Sequence, residues 1–383
     1  MNGSRRGILP LLAVLVVLGS SHRNAAQVVI PPSASLDVQI PMAPTPVALG
    51  GQLHLAYELH ITNFRAVDLF LTRIDVLGDE NRAPLASYRD AELAGGLARA
   101  GARPDQSDKR VVGGGQRVVF FVWLALDRAA PSLLHHRIAF DVPGASGAEA
   151  GAVEGGRTSV RRDAPVVLDA PLRNGPWIAV YDPSMAGGHR RALFAIDGKA
   201  RIPARFAIDW IKLGADGNAS RADASVLSNW AGYGEEVLAV GDGVVADAVD
   251  RFPEPTKPIA LDNSAGNYVT LDLGGSRFVS YEHLKPGSVR VKTGDRVRSG
   301  QVLALLGGSG SVSSGPHLHF HVSDGNSSLG AEGLPFVFKQ FERLGAYESL
   351  QAFASGKPWV ARSSEQESTV RMEMPRQQTV LRF

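Results

Sequence analysis

The chain of 383 residues contains no cysteine. That excludes disulfides, thiolate metal sites and a cysteine nucleophile, so any bound metal must be held by histidine and carboxylate. Charge of one sign is not in excess either. The formal net charge is +2, with Lys and Arg scattered rather than clustered, which argues against a nucleic-acid partner. Past residue 26 no stretch is long and apolar enough to span a bilayer, which takes about 20 residues. What is present is a globular composition, 44% hydrophobic and 20% charged. The 42 glycines and 23 prolines favour a turn-rich β protein. The length has room for two ordinary domains, each with its own core.

Residues 1–26 read as a secretory signal. Arg5 and Arg6 precede an apolar run at residues 8–18 that is short for a span, and small residues follow. Cleavage near Ala26 implies a periplasmic or extracellular protein. An uncleaved membrane anchor is the alternative.

Residues 27–165 read as a β-sandwich domain of unknown role. Leu53, Leu55, Tyr57, Leu59 and Ile61 alternate with His54, Ala56, Glu58 and His60, the pattern of a strand with one wet face. Residues 69–76, 118–126 and 137–142 are further strands, and a short helix is expected near residues 91–98. The spacing resembles an immunoglobulin-like sandwich. His54, His60, His135 and His136 read as surface histidines. Residues 144–162, rich in Gly and Ala, read as a loop or linker.

Residues 166–325 read as a second, antiparallel β domain. Strands are expected at residues 177–181, 205–210, 237–245, 268–273, 277–281 and 302–306. Asp242-Gly243 and Gly274-Gly275 are hairpin signals. Residues 216–234 form a long polar loop that could wall a groove. The strand that organises the domain is Gly315-Pro316-His317-Leu318-His319-Phe320-His321-Val322. Alternation puts His317, His319 and His321 on one face and Leu318, Phe320 and Val322 on the other. Imidazole is the commonest protein metal ligand, and another histidine stands upstream in Tyr281-Glu282-His283-Leu284. The run Gly307-Gly308-Ser309-Gly310 lacks the Gly-Lys-Ser/Thr ending of a phosphate loop. Residues 326–383 read as a C-terminal extension packing on this domain.

The Tyr281–Leu284 segment, residues 297–307 and Gly315–Phe320 together resemble the lysostaphin- and LytM-type zinc endopeptidases, which cut peptide cross-links in bacterial cell walls. The resemblance covers roughly residues 176–322. It implies that His319 binds Zn2+, and that His317 and His283 are catalytic. His321 would support them or lie exposed. In that family the other two ligands lie in a His-x-x-x-Asp segment. Asp209 matches the Asp, but Arg205 stands where the His belongs. A guanidinium keeps its proton and cannot ligate zinc. The expected substitute is His189, in the glycine-flanked loop Gly187-Gly188-His189, while Arg205 should point away from the metal, toward a carboxylate of the protein or the substrate's own carboxylate.

The implied reaction is metal-assisted hydrolysis of peptidoglycan peptides. One of His317 and His283 would orient or deprotonate the water, and the other would stabilise the oxyanion. Two rivals stay open at this point: a catalytically inactive module that binds cell wall or regulates another hydrolase, and a peptidase with a protein substrate.

Overall fold

The structure, a computed structural model, describes residues 34–79, 83–99, 108–142, 151–254, 265–310, 315–365 and 367–383. The expected signal segment lies outside them. The fold is mainly β. No helix among the described residues is long and apolar enough to cross a membrane.

Two five-stranded sheets make up the N-terminal part. In one, Gln52–Asn63 lies between Leu36–Gln39 and Arg117–Leu126. In the other, Leu133–Asp141 lies between Gly151–Ser159 and Leu69–Gly78. Alternate residues of Gln52–Asn63 (Leu55, Tyr57, Leu59, Ile61) meet Leu71, Ile74, Ile138 and Phe140 in a shared core. The apolar face is thus as its period predicts.

The other face is not wet. His54, Glu58 and His60 are buried, and so is Ala56. This corrects the surface reading of His54 and His60. The face is covered by the C-terminal half: Ala56 belongs to that half's core, and Glu58 is ion-paired to Arg190 and Arg205. His136 is also fully buried. Its ring lies 2.8 Å from the Tyr57 hydroxyl and 3.1 Å from the Gly156 carbonyl.

The linker expectation for residues 144–162 is corrected too. Residues 143–150 lie outside the described set, but Gly151–Ser159 is a strand paired with Leu133–Asp141. Among the described residues, Gly155 and Gly156 serve close packing there. A Cβ at Gly156 would come within 3.0 Å of Val38. The short helix occurs at Asp90–Gly96.

The C-terminal half is dominated by a 12-stranded sheet. At its centre, Trp177–Val180, Ile208–Lys212, Leu318–Ser323 and Phe278–Leu284 are neighbours, all antiparallel. Phe336–Ala346 and Thr379–Arg382, from the expected extension, hydrogen-bond into the same sheet. Leu318, Phe320 and Val322 enter the core with Ile208, Trp210 and Tyr281. Phe320 meets Tyr281 and Phe336 edge to face, ring centroids 5.4 Å apart in each pair. Burying such a side chain stabilises by about 1.5–3 kcal/mol, which holds the opposite face of these strands in fixed register.

One strand starts later than expected. Residues 203–206 form turns, and the strand begins at Ile208. Had the strand begun at Arg205, Arg205 and Asp209 would share a face. The turn after Ile202-Pro203 releases Arg205 from that register.

Candidate metal centre

The register of the central strands builds the site. Asp209 stands opposite His319, and His319 stands opposite Glu282 on its other side. These three side chains lie on the face away from the core. His317 precedes the strand and His321 follows two residues on, so both share that face. His317, His319 and His321 are all buried.

His283 reaches the site by a different route. Tyr281 is in the core, so alternation would return His283 to the core side. Instead its backbone is left-handed, with φ of +66°, a conformation that costs a non-glycine residue about 1–3 kcal/mol. The amide of His283 bonds the Ala265 carbonyl at 3.0 Å, and the amide of Gly307 bonds the His283 carbonyl at 3.1 Å. The ring turns to lie 4.6 Å from that of His317 and 6.1 Å from that of His319.

His189 comes from outside the sheet, in the single turn His189–Arg191. Its Nε2 lies 2.9 Å from Asp209 Oδ2, and His319 Nδ1 lies 2.8 Å from Asp209 Oδ1. The ligand atoms of His189, Asp209 and His319 all fall within 4.8 Å of one another. Two imidazoles and one carboxylate are a donor set that zinc takes in catalytic sites, with the fourth position open. Ligands of a tetrahedral zinc stand about 3.3 Å apart, a few tenths of an ångström beyond the hydrogen-bond separations here. Arg205 is absent from the cluster. Its guanidinium pairs with Glu58 at 2.7 Å and Glu332 at 2.9 Å.

The remaining histidines have their protons assigned by their partners. His317 Nδ1 is 2.8 Å from the Gly315 carbonyl, and His283 Nδ1 is 2.9 Å from the Ser309 carbonyl. A carbonyl only accepts, so Nδ1 donates in both, and each Nε2 is left as the basic nitrogen. Burial lowers the pKa of both, with the neighbouring His319 adding to the effect, so both are neutral at pH 7. His317 Nε2 lies 3.7 Å from Asp209 Oδ1, beside the candidate ligands without bonding them.

Burial would also lower His319, but Glu282 and Asp209 raise it to about 9. Its Nε2 lies 3.1 Å from His321 Nδ1. That contact orients the ring through the nitrogen facing away from Asp209, as outer partners of metal-binding histidines do. Glu282, His319 and His321 also have ligand atoms within 4.8 Å. They share His319 with the first set and form one centre with it. Burial would raise the Asp209 carboxyl, but His189 and His317, with hydrogen bonds from His189 and His319, hold it well below the carboxylate range.

The centre is reachable from one side. The His189 side chain is 39% exposed and that of Asp209 15%. Next to them opens a cavity of about 410 Å³, with Trp123, Tyr181, Pro183, Met185 and Phe353 in its walls. The expected loop of residues 216–234 packs against the histidine segment. A Cβ at Gly315, where φ is +86°, would fall 2.1 Å from the Trp230 ring. Only glycine fits there.

Residues 228–330 match the model of Peptidase family M23. They are an M23 peptidase domain. The match includes Glu282, His283, His317, His319 and His321, while His189 and Asp209 lie upstream of it. The chain is 36% identical over 89 residues to an uncharacterized metalloprotease of Buchnera aphidicola, covering 23% of this chain and 20% of that protein. It is 37% identical over 87 residues to the peptidoglycan DD-endopeptidase ShyC of Vibrio cholerae, covering 23% of this chain and 17% of that protein. The chain thus spans a fifth or less of the length of these relatives. Among solved structures, the catalytic domain of the antimicrobial peptidase lysostaphin from Staphylococcus simulans aligns at 19% identity. It covers 42% of this chain and 88% of that one, with a TM-score of 0.24.

The sequence singled out His189, Asp209, His283, His317 and His319, and the structure brings all five to one centre. It did not single out Glu282 or Arg190. Glu282 lies inside the Tyr-x-His-Leu segment, and its register opposite His319 is the signal that period alone could not supply.

Proposed function

We propose that the chain is a zinc metalloendopeptidase that hydrolyses peptide bonds in peptidoglycan cross-links or stem peptides. The observation that carries this reading is the convergence of His189 and His319 on the two oxygens of Asp209, with two neutral imidazoles alongside. His189, Asp209 and His319 would hold the ion. Zinc supplies Lewis acidity, acidifying water and polarising a carbonyl. His317 and His283 each present a basic Nε2 to the same space. One accepts the proton of the attacking water, and the other, once protonated, donates to the leaving amine or steadies the oxyanion. His321 holds the orientation of His319.

The peptidoglycan substrate is supported by the M23 domain and by the chain's likeness over 87 residues to a DD-endopeptidase. Export to the periplasm or the exterior is supported by the charge and apolar pattern of residues 1–18. An inactive module has no use for a complete ligand set with two neutral bases beside it, so the geometry favours the peptidase.

The test is metal analysis of the purified protein together with digestion of purified cell wall, read by mass spectrometry of released peptides. One equivalent of zinc and chelator-sensitive peptide cleavage are expected. A protein that binds zinc yet releases nothing would return the reading to a binding module.

A further inference from the structure

His189 is held in place from a direction the metal centre does not explain. It sits on one turn after Gly187-Gly188, and the amides of Gly188, Arg191 and Ala192 bond only carbonyls within residues 185–189. Such a segment has no sheet register to fix it, and ordering it costs conformational entropy. The next residue supplies the anchor. Arg190 is buried, 5% exposed. Its guanidinium donates to Glu58 Oε1 at 2.7 Å, to the Tyr57 carbonyl at 3.1 Å and to the Val122 carbonyl at 2.6 Å. All three acceptors belong to paired strands of the N-terminal sheets, where Tyr57 stands opposite Val122. Arg191 adds a bond to the Gly95 carbonyl at 2.7 Å. Glu58 is in turn fixed by Arg205, through Nε at 3.2 Å and Nη2 at 2.7 Å.

One turn therefore points its first residue at the metal centre, its second into the N-terminal strands and its third at the helix Asp90–Gly96. We propose that Arg190, docked on Glu58, Tyr57 and Val122, is a positioning residue that sets His189 for the metal, so that metal affinity depends on the N-terminal sheets. This deepens the zinc-peptidase reading and rests on it. The N-terminal half then has a role of its own, which is to present the third ligand.

The test is a double-mutant cycle for zinc affinity, measured by chelator competition on the full chain. Arg190→Met is suited to it because Glu58 keeps its bidentate partner Arg205, so no buried carboxylate is stranded. Changes to groups that orient a metal ligand typically cost 10–100-fold in affinity, and that loss is expected. Combined with His189→Ala, Arg190→Met should cause no further loss, because its effect runs through His189. Leu55→Ala, in the sandwich core, should lower the melting temperature and leave zinc affinity unchanged. Arg190→Lys keeps the buried charge with fewer donors and gives the same readout if the Met variant does not fold. Wild-type affinity in Arg190→Met, or an equal further loss in the His189→Ala background, overturns the proposal alone. Failure of the wild type to bind zinc overturns the peptidase reading as well.

Discussion

Asp209 and His319 stand directly opposite each other on adjacent antiparallel strands, with His319 Nδ1 2.8 Å from Asp209 Oδ1. The pair fixes which imidazole of the His-x-His segment faces the carboxylate closely. His317 Nε2 stays at 3.7 Å from the same oxygen.

The two histidines should therefore behave differently when removed. His319→Ala is expected to lose bound zinc. His317→Ala should retain it and lose peptide hydrolysis by about 10²–10⁴-fold, the usual cost of removing a general acid–base group. Atomic emission on both proteins beside a cleavage assay decides this, and equal zinc loss in both would erase the distinction.

Removing His189 and removing Arg205 should separate in the same way. His189→Ala leaves two protein ligands, fewer than a catalytic zinc site normally has, and should bind the metal far more weakly. Arg205→Met strands part of the charge on Glu332 and weakens the hold on Glu58. It should lower stability, on the order of 3 kcal/mol for a broken buried pair, with zinc stoichiometry intact. Denaturant titration and metal analysis of the two variants read these effects independently. Zinc loss in Arg205→Met at unchanged stability would contradict the separation.

Glu58 makes stability pH-dependent. Burial alone would raise its pKa, but Arg205 and Arg190 lower it from 4.5 to about 2. A carboxyl whose folded pKa is depressed contributes stability above its unfolded value, and loses it as pH falls through the folded one. The window is therefore pH 4.5 down to about 2. Melting temperatures across it should fall steeply for wild type. Glu58→Gln should start lower at neutral pH and show a flatter slope. Parallel slopes would mean that Glu58 does not carry the effect.

Export can be tested by N-terminal sequencing of protein recovered outside the cytoplasm. The mature chain should begin near Gln27, after the apolar run at residues 8–18. An intact Met1 on soluble protein inside the cell would defeat that expectation.

Donor chemistry and local faces follow from the order of residues alone. Without cysteine, a metal can rest only on histidine and carboxylate. The alternation of Leu318, Phe320 and Val322 with the histidines decides which side is core, because strand period is a local property. Local period says nothing about what covers a polar face or which distant loop arrives beside it. Folding of the whole chain buried Glu58 and His60 under the C-terminal half and set Arg205 on two carboxylates. It also carried His189 to Asp209 across 20 residues. His283 is the sharpest case. Its motif is plain in the chain, yet its alternation places it in the core. A left-handed backbone at φ of +66°, held by amide bonds from strands and loops remote in sequence, is what turns the imidazole to the site.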